Sequence, residues 1–212
     1  RDCLLSRGLG DVYKRQSSSR KQTSWSGNQS GSSSNIDLEQ LTAEDAEANF
    51  SWEQSDIEQL QFLTGTDDGE TPEEMVDAYG KASSVQFDSG ELKLFWDDSS
   101  YSKEVKATFS KKGKQLQFVK FEFNQFGKNL TVEDNFADGF KVGNSETGAG
   151  GTSYKELLEK YGDAVNLTVS SSDDSDKVEM LMDFQKKNGD YVDLTFIRQE
   201  NGDFLLSSKD SY

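Results

Sequence analysis

Apolar and polar positions alternate along two stretches of the chain, 84–123 and 165–207. Leu92/Leu94/Trp96 and Val105/Ala107/Phe109 carry a period of two, as do Val178/Met180/Met182/Phe184 and Val192/Leu194/Phe196. That period marks half-buried strands. It predicts strands over 84–87, 92–96, 105–110 and 116–123, and again over 165–169, 178–184, 191–197 and 204–207. Turn chemistry separates them: Ser89-Gly90, Lys112-Gly113, Asn188-Gly189-Asp190 and Asn201-Gly202-Asp203. Leu116/Phe118 and Phe121/Phe123 each alternate, but the phase breaks near Val119, which predicts a β-bulge or bent strand.

Ahead of each set of strands lies a short helical pattern, and the two patterns repeat. Thr71-Pro72-Glu73-Glu74-Met75-Val76-Asp77-Ala78-Tyr79-Gly80 aligns with Ser153-Tyr154-Lys155-Glu156-Leu157-Leu158-Glu159-Lys160-Tyr161-Gly162 at an offset of 82. Thr71 and Ser153 are N-caps with Glu74 and Glu156 three positions on, the pattern of a capping box. Pro72 occupies the first helical position, where its missing N–H is harmless. Met75/Val76/Tyr79 and Leu157/Leu158/Tyr161 form matching apolar stripes, and Gly80 and Gly162 end the helices. Two-turn helices do not stand alone in water, so each must dock on a sheet.

The repeat extends upstream, where Asn49-Phe50-Ser51-Trp52-Glu53 is echoed by Asn129-Leu130-Thr131-Val132-Glu133. Residues 37–62 predict one or two short helices, with Thr42-Ala43-Glu44-Asp45 as a capping box and Phe50, Trp52, Ile57, Leu60 and Phe62 as packing residues. A short helix carrying Phe136 and Phe140 precedes the stretch 143–151. The expected fold is therefore α+β: two tandem modules, 37–126 and 127–212, each a helix-loop-helix plus a four-stranded antiparallel sheet.

This order resembles the β-lactamase-inhibitory-protein-like (BLIP-like) fold and the single-module SmpA/OmlA outer-membrane lipoproteins. Small two-module lipoproteins of streptococci and lactobacilli are similar in a further respect: a lipidated Cys is followed by a Ser-rich linker. Their characteristic stretch is matched by Thr147-Gly148-Ala149-Gly150-Gly151-Thr152-Ser153 through Tyr161-Gly162, and more loosely by Thr64-Gly65 through Tyr79-Gly80. The resemblance covers roughly residues 45–212. It implies a bacterial cell-surface lipoprotein on a flexible stalk, and the anchor Cys is not among these residues.

The N-terminal stretch changes how the composition is counted. Residues 6–16, SRGLGDVYKRQ, resemble a translated sequencing-library adaptor, so 1–16 are set aside from fold reasoning. Cys3 goes with them. The formal charge of −16 becomes −18 once Arg1, Arg7, Lys14, Arg15, Asp2 and Asp11 are removed. Residues 17–36 form a Ser-rich segment with too little apolar surface to offset chain entropy, and read as a linker. On this reading the natural N-terminus lies further upstream, with a signal peptide and anchor Cys.

Chemistry is constrained by what remains. Strong acidity disfavours nucleic acid and anionic membrane surfaces, so a membrane enters only through a lipid anchor. The sequence holds no His, so a Ser-His-Asp triad, a Cys-His pair and a His-containing zinc site cannot be built from this chain alone. Glycines before Ser153 superficially suggest a phosphate loop, but no Gly-Lys-Ser/Thr follows. Asp67/Asp68/Glu70, Asp97/Asp98 and Asp173/Asp174/Asp176 could hold Ca²⁺ on loops, though none fits the twelve-residue calcium loop. Asn28, Asn49, Asn129 and Asn166 head glycosylation sequons that matter only in a eukaryotic secretory route.

Aromatics are left as the candidate binding groups. Adjacent Phe95 and Trp96 must face opposite sides of their strand, so one points away from the helix. With Tyr101 they are the candidate protein-binding residues; packing between modules is the competing role. The reading is a monomeric, non-enzymatic envelope protein without a cofactor or metal, which binds an envelope or secreted protein. Inhibition of a secreted enzyme and ligand or Ca²⁺ binding are the alternatives.

Overall fold

The structure, a computed structural model, describes residues 37–126 and 130–212. The adaptor-like stretch, Cys3, the Ser-rich segment and the sequons at Asn28 and Asn129 lie outside the described residues.

Strands form where the alternation places them. In the first half they are β1 (Ser84–Asp88), β2 (Glu91–Asp97), β3 (Lys103–Lys112) and β4 (Gln115–Gln125). A two-residue strand, β5 (Thr131–Val132), intervenes. The second half supplies β6 (Asn166–Ser172), β7 (Ser175–Lys186), β8 (Tyr191–Arg198) and β9 (Phe204–Ser211). The register of β3 on β4 shifts between Thr108 and Phe109, where Phe109 faces Phe118 and Val119 is the extra residue. The bulge therefore falls where the phase of the sequence breaks.

The expected α+β fold is overturned. Among the described residues strands take 42% and helix 19%, so the fold is β-rich. Its strands join in one sheet of order β1-β2-β3-β4-β6-β7-β8-β9, with β5 alongside β7. The two halves meet through antiparallel β4–β6 pairing, with Phe121 opposite Val169 and Phe123 opposite Leu167. Each meander leaves a bare strand edge, and pairing those edges satisfies backbone groups on both sides.

The helix-loop-helix expectation fails in its first helix. Among the described residues the α-helices are α1 (Leu38–Leu41), α2 (Pro72–Tyr79) and α3 (Tyr154–Tyr161). Thr42 closes α1, giving its hydroxyl to Leu38 O at 3.1 Å, rather than opening a second helix. The chain then makes single 3₁₀ turns at Ala46–Asn49 and Gln54–Glu58, and in the second half at Phe136–Gly139. The apolar residues here are too sparse for a helical stripe; they pack singly against the sheet and the helices over it. Trp52 stacks on Tyr79 at 4.0 Å, and Phe136 packs edge-on to Tyr161 at 5.2 Å.

α2 and α3 keep their N-cap residues, but the predicted capping box forms only at α2. Thr71 and Glu74 complete a reciprocal capping box, and Ser153 accepts from Lys155 N. α2 packs against β4 and α3 against β9. Both lie over the inner face, where Leu94, Ala107, Phe121, Met182 and Leu194 belong to a single core cluster shared by the two halves.

Residues 54–60 tie the halves together. Gln54 bonds the backbone of Ala164, and Arg198 donates to Leu60 O at 3.1 Å. Glu58 accepts from Lys155 Nζ at 2.7 Å and from the Tyr154 hydroxyl.

Candidate interaction surface

Pleating decides the fate of the three aromatic candidates. Trp96 points inward, 2% exposed, and its indole N–H donates to Gly80 O at 3.0 Å. Phe95 faces outward between Ser84 and Lys106, but is only 9% exposed. Tyr101, on the β2–β3 turn, is 67% exposed. The structure thus separates the three: one in the core, one covered on the outer face, one free at a tip.

Asp98 builds that tip. Its Oδ1 accepts from Ser102 N at 2.6 Å and Lys103 N at 3.0 Å, and its Oδ2 from the Ser100 and Ser102 hydroxyls at 2.6 and 2.8 Å. Burial pushes the Asp98 carboxyl up, but these hydrogen bonds outweigh it and hold the group at about 2. Tyr101 N also donates to Asp98 O at 2.9 Å. The turn places Tyr101 at φ 53°, a left-handed conformation rare for a bulky residue.

A second aromatic lies at the same end of the sheet. Phe126 N donates to Ser102 O at 2.7 Å, and Phe126 is 65% exposed. Sequence reasoning missed it, because it comes after the last alternating position of β4. Its signal is a large apolar residue placed beyond the strand, between Gln125 and Gly127.

The outer face of the sheet is polar. A shallow depression of about 520 Å³ is lined by Lys93, Lys106, Thr108, Lys120 and Glu122, among others. Glu122 pairs with Lys106 at 2.7 Å and Lys120 at 3.3 Å, and Glu91 with Lys93 at 3.5 Å. These lysines are thus paired within the sheet.

Further along this face, Asp183 and Asp193 sit directly opposite across β7 and β8. Asn166 donates to Asp183 at 3.3 Å and the Tyr212 hydroxyl to Asp193 at 2.8 Å. The Oδ1 of each is buried without a hydrogen-bond partner. Burial and the Asp193 charge both push the Asp183 carboxyl above its ordinary value.

The acidic loops make structural contacts across the chain. Asp68 pairs with Lys112 at 3.2 Å, and Asp176 accepts from the Thr66 hydroxyl at 3.0 Å. Among the described residues, no three His, Cys, Asp or Glu side chains form a group that could hold a metal ion. The glycines before α3 serve close packing: a Cβ on Gly151 would lie 2.1 Å from Leu206 O, and one on Gly148 2.4 Å from Leu205 O.

Comparison with protein-family models, curated proteins and solved structures finds no match to this chain.

Proposed function

We propose that this chain is a non-enzymatic protein-interaction module of the bacterial cell envelope, which engages a protein partner through Tyr101 and Phe126. The observation that carries the reading is Tyr101 itself. A large aromatic is exposed at the tip of a turn, in a backbone conformation that costs about 1–2 kcal/mol for an L-residue. The Asp98 hydrogen bonds rigidify it there. A preorganised aromatic loses little conformational freedom on binding, which suits an interface anchor. The envelope location rests on the Ser-rich segment and on the resemblance to two-module lipoproteins.

Site-specific photo-crosslinking tests it. The full chain, with a photoreactive phenylalanine in place of Tyr101, is incubated with Gram-positive envelope proteins. One discrete adduct is expected, competed by unlabelled wild type and weakened at least about tenfold in competition by Tyr101→Ala/Phe126→Ala, about 1.4 kcal/mol. The same probe at Val142, exposed elsewhere, should give no such adduct. Equal competition by wild type and the double variant would overturn the reading.

A further inference from the structure

The two halves correspond residue by residue through their registers. Val85 pairs with Leu94 in the first half as Leu167 pairs with Met182 in the second. The β3–β4 register shifts between Thr108 and Phe109, and the β8–β9 register shifts between Thr195 and Phe196. So β1 is the counterpart of β6, and β4 of β9.

The segment just before each of these strands is closed in its own way. Ala82 N donates to Leu41 O, and Ala82 O accepts from Ala43 N. At the counterpart position, Ala164 makes the same two bonds to the Gln54 side chain. Beyond that point the halves differ. The outer edge of β6 is filled by β4 over five residue pairs, and Leu167 and Val169 are fully buried. β1 ends the sheet. Its Val85 and Phe87 match Leu167 and Val169, and Phe87 is 58% exposed.

We propose that the outer edge of β1 receives an antiparallel strand from a protein partner, with two apolar side chains, two residues apart, set over Val85 and Phe87. The β4–β6 junction is the template for both the edge and its occupant: there Phe123 lies opposite Leu167 and Phe121 opposite Val169. Strand addition of this kind takes affinity from main-chain hydrogen bonds and specificity from alternate side chains.

The β9 edge of a second copy of this chain does not fit that template. β9, the counterpart of β4, carries Lys209 and Ser211 where β4 has Phe121 and Phe123. Lys209 turns inward to Ala137 O at 3.0 Å, and an inward charge is a device against edge pairing. Phe87 pairs with Leu92, at the end of β2 away from the Tyr101 turn, so this surface stands independently of the function proposed above.

The probe is a labelled peptide with the sequence of residues 119–125, VKFEFNQ, added to the full chain and monitored by fluorescence anisotropy and amide hydrogen exchange. Saturable binding with slowed exchange in β1 is expected. Phe87→Asp should weaken it at least about tenfold. Phe87→Thr, which keeps strand propensity, repeats the test if the aspartate variant fails to fold. A peptide with serine in place of both phenylalanines should not bind, and Tyr101→Ala should bind as wild type. Equal binding by the Phe87 variants, or protection at β6 in place of β1, would overturn the proposal. So would concentration-dependent self-association abolished by Phe87→Asp, since the occupant would then be a second copy.

Discussion

Gln54 and Ala164, 110 residues apart, share two hydrogen bonds: the Gln54 amide donates to Ala164 O at 2.8 Å and accepts from Ala164 N at 2.9 Å. Gln54 is fully buried. A side-chain amide here does what main chain does at Ala82, closing the segment that leads into a strand. Gln54→Ala should leave Ala164 N–H buried and unpaired, with Ala164 O held only by the Gln125 amide at 3.3 Å. The expected loss is roughly 2 kcal/mol, read as a fall in Tm of roughly 4–8 °C for a domain of this size.

Tyr101 gives a stability effect of the opposite sign. Replacing it by glycine removes the left-handed penalty of the turn, and Tyr101 buries little that would be lost. Tyr101→Gly should be more stable than Tyr101→Ala by about 1 kcal/mol, measured by urea denaturation. If alanine proves the more stable, Tyr101 is not strained.

Acid should loosen the same turn. Asp98 is held at about 2, below its ordinary value of 3.8. A lowered carboxyl contributes stability that is complete above the unfolded value and lost as pH falls through the folded one. Wild type should therefore lose stability between about pH 4 and pH 2 more steeply than Asp98→Asn does. Thermal melts of the two proteins across that range check it.

The Asp183–Asp193 pair predicts the reverse slope. Asp183 is raised, so the folded state holds its proton more tightly and stability falls as pH rises above the ordinary carboxylate range. Asp193→Asn removes one of two like charges placed directly opposite. It should stabilise the protein at pH 7 by on the order of 1 kcal/mol, and the gain should shrink as pH falls. A gain that is constant with pH would count against the charge explanation.

Gly151 tests the seating of the loop on β9. Gly143 N and Leu206 O, and Leu206 N and Thr152 O, are bonded at 2.8 and 2.9 Å. Gly151→Ala must push the loop off that edge, at a cost of about 1–3 kcal/mol. Amide exchange at Leu206 should then accelerate while β6 is unaffected.

The strands, the bulge at Val119, both N-cap residues and the α2 capping box were legible, because each is set by neighbours within a few residues. The β4–β6 pairing was not: no local pattern says that Phe123 will face Leu167. Residues 42–62 misled for a related reason. A capping motif was present at Thr42, but tertiary contacts turned the residues after it into single 3₁₀ turns, with Trp52 and Ile57 buried in the core. For the site, alternation told that Phe95 and Trp96 diverge. It could not say that Phe95 would be covered, nor that Phe126 would stand free beside the Asp98 turn.

The join between the halves also sets an order in time. Each meander closes through short turns, so its contacts are local and form early. The β4–β6 seam must instead close a long loop, after both strands exist. On the ribosome, β4 is complete about 40 residues before β6 begins, which at ~5–20 residues per second is roughly 2–8 s. For those seconds Phe121 and Phe123 line an open strand edge, and the nascent chain, rather than the finished protein, is the form most exposed to aggregation.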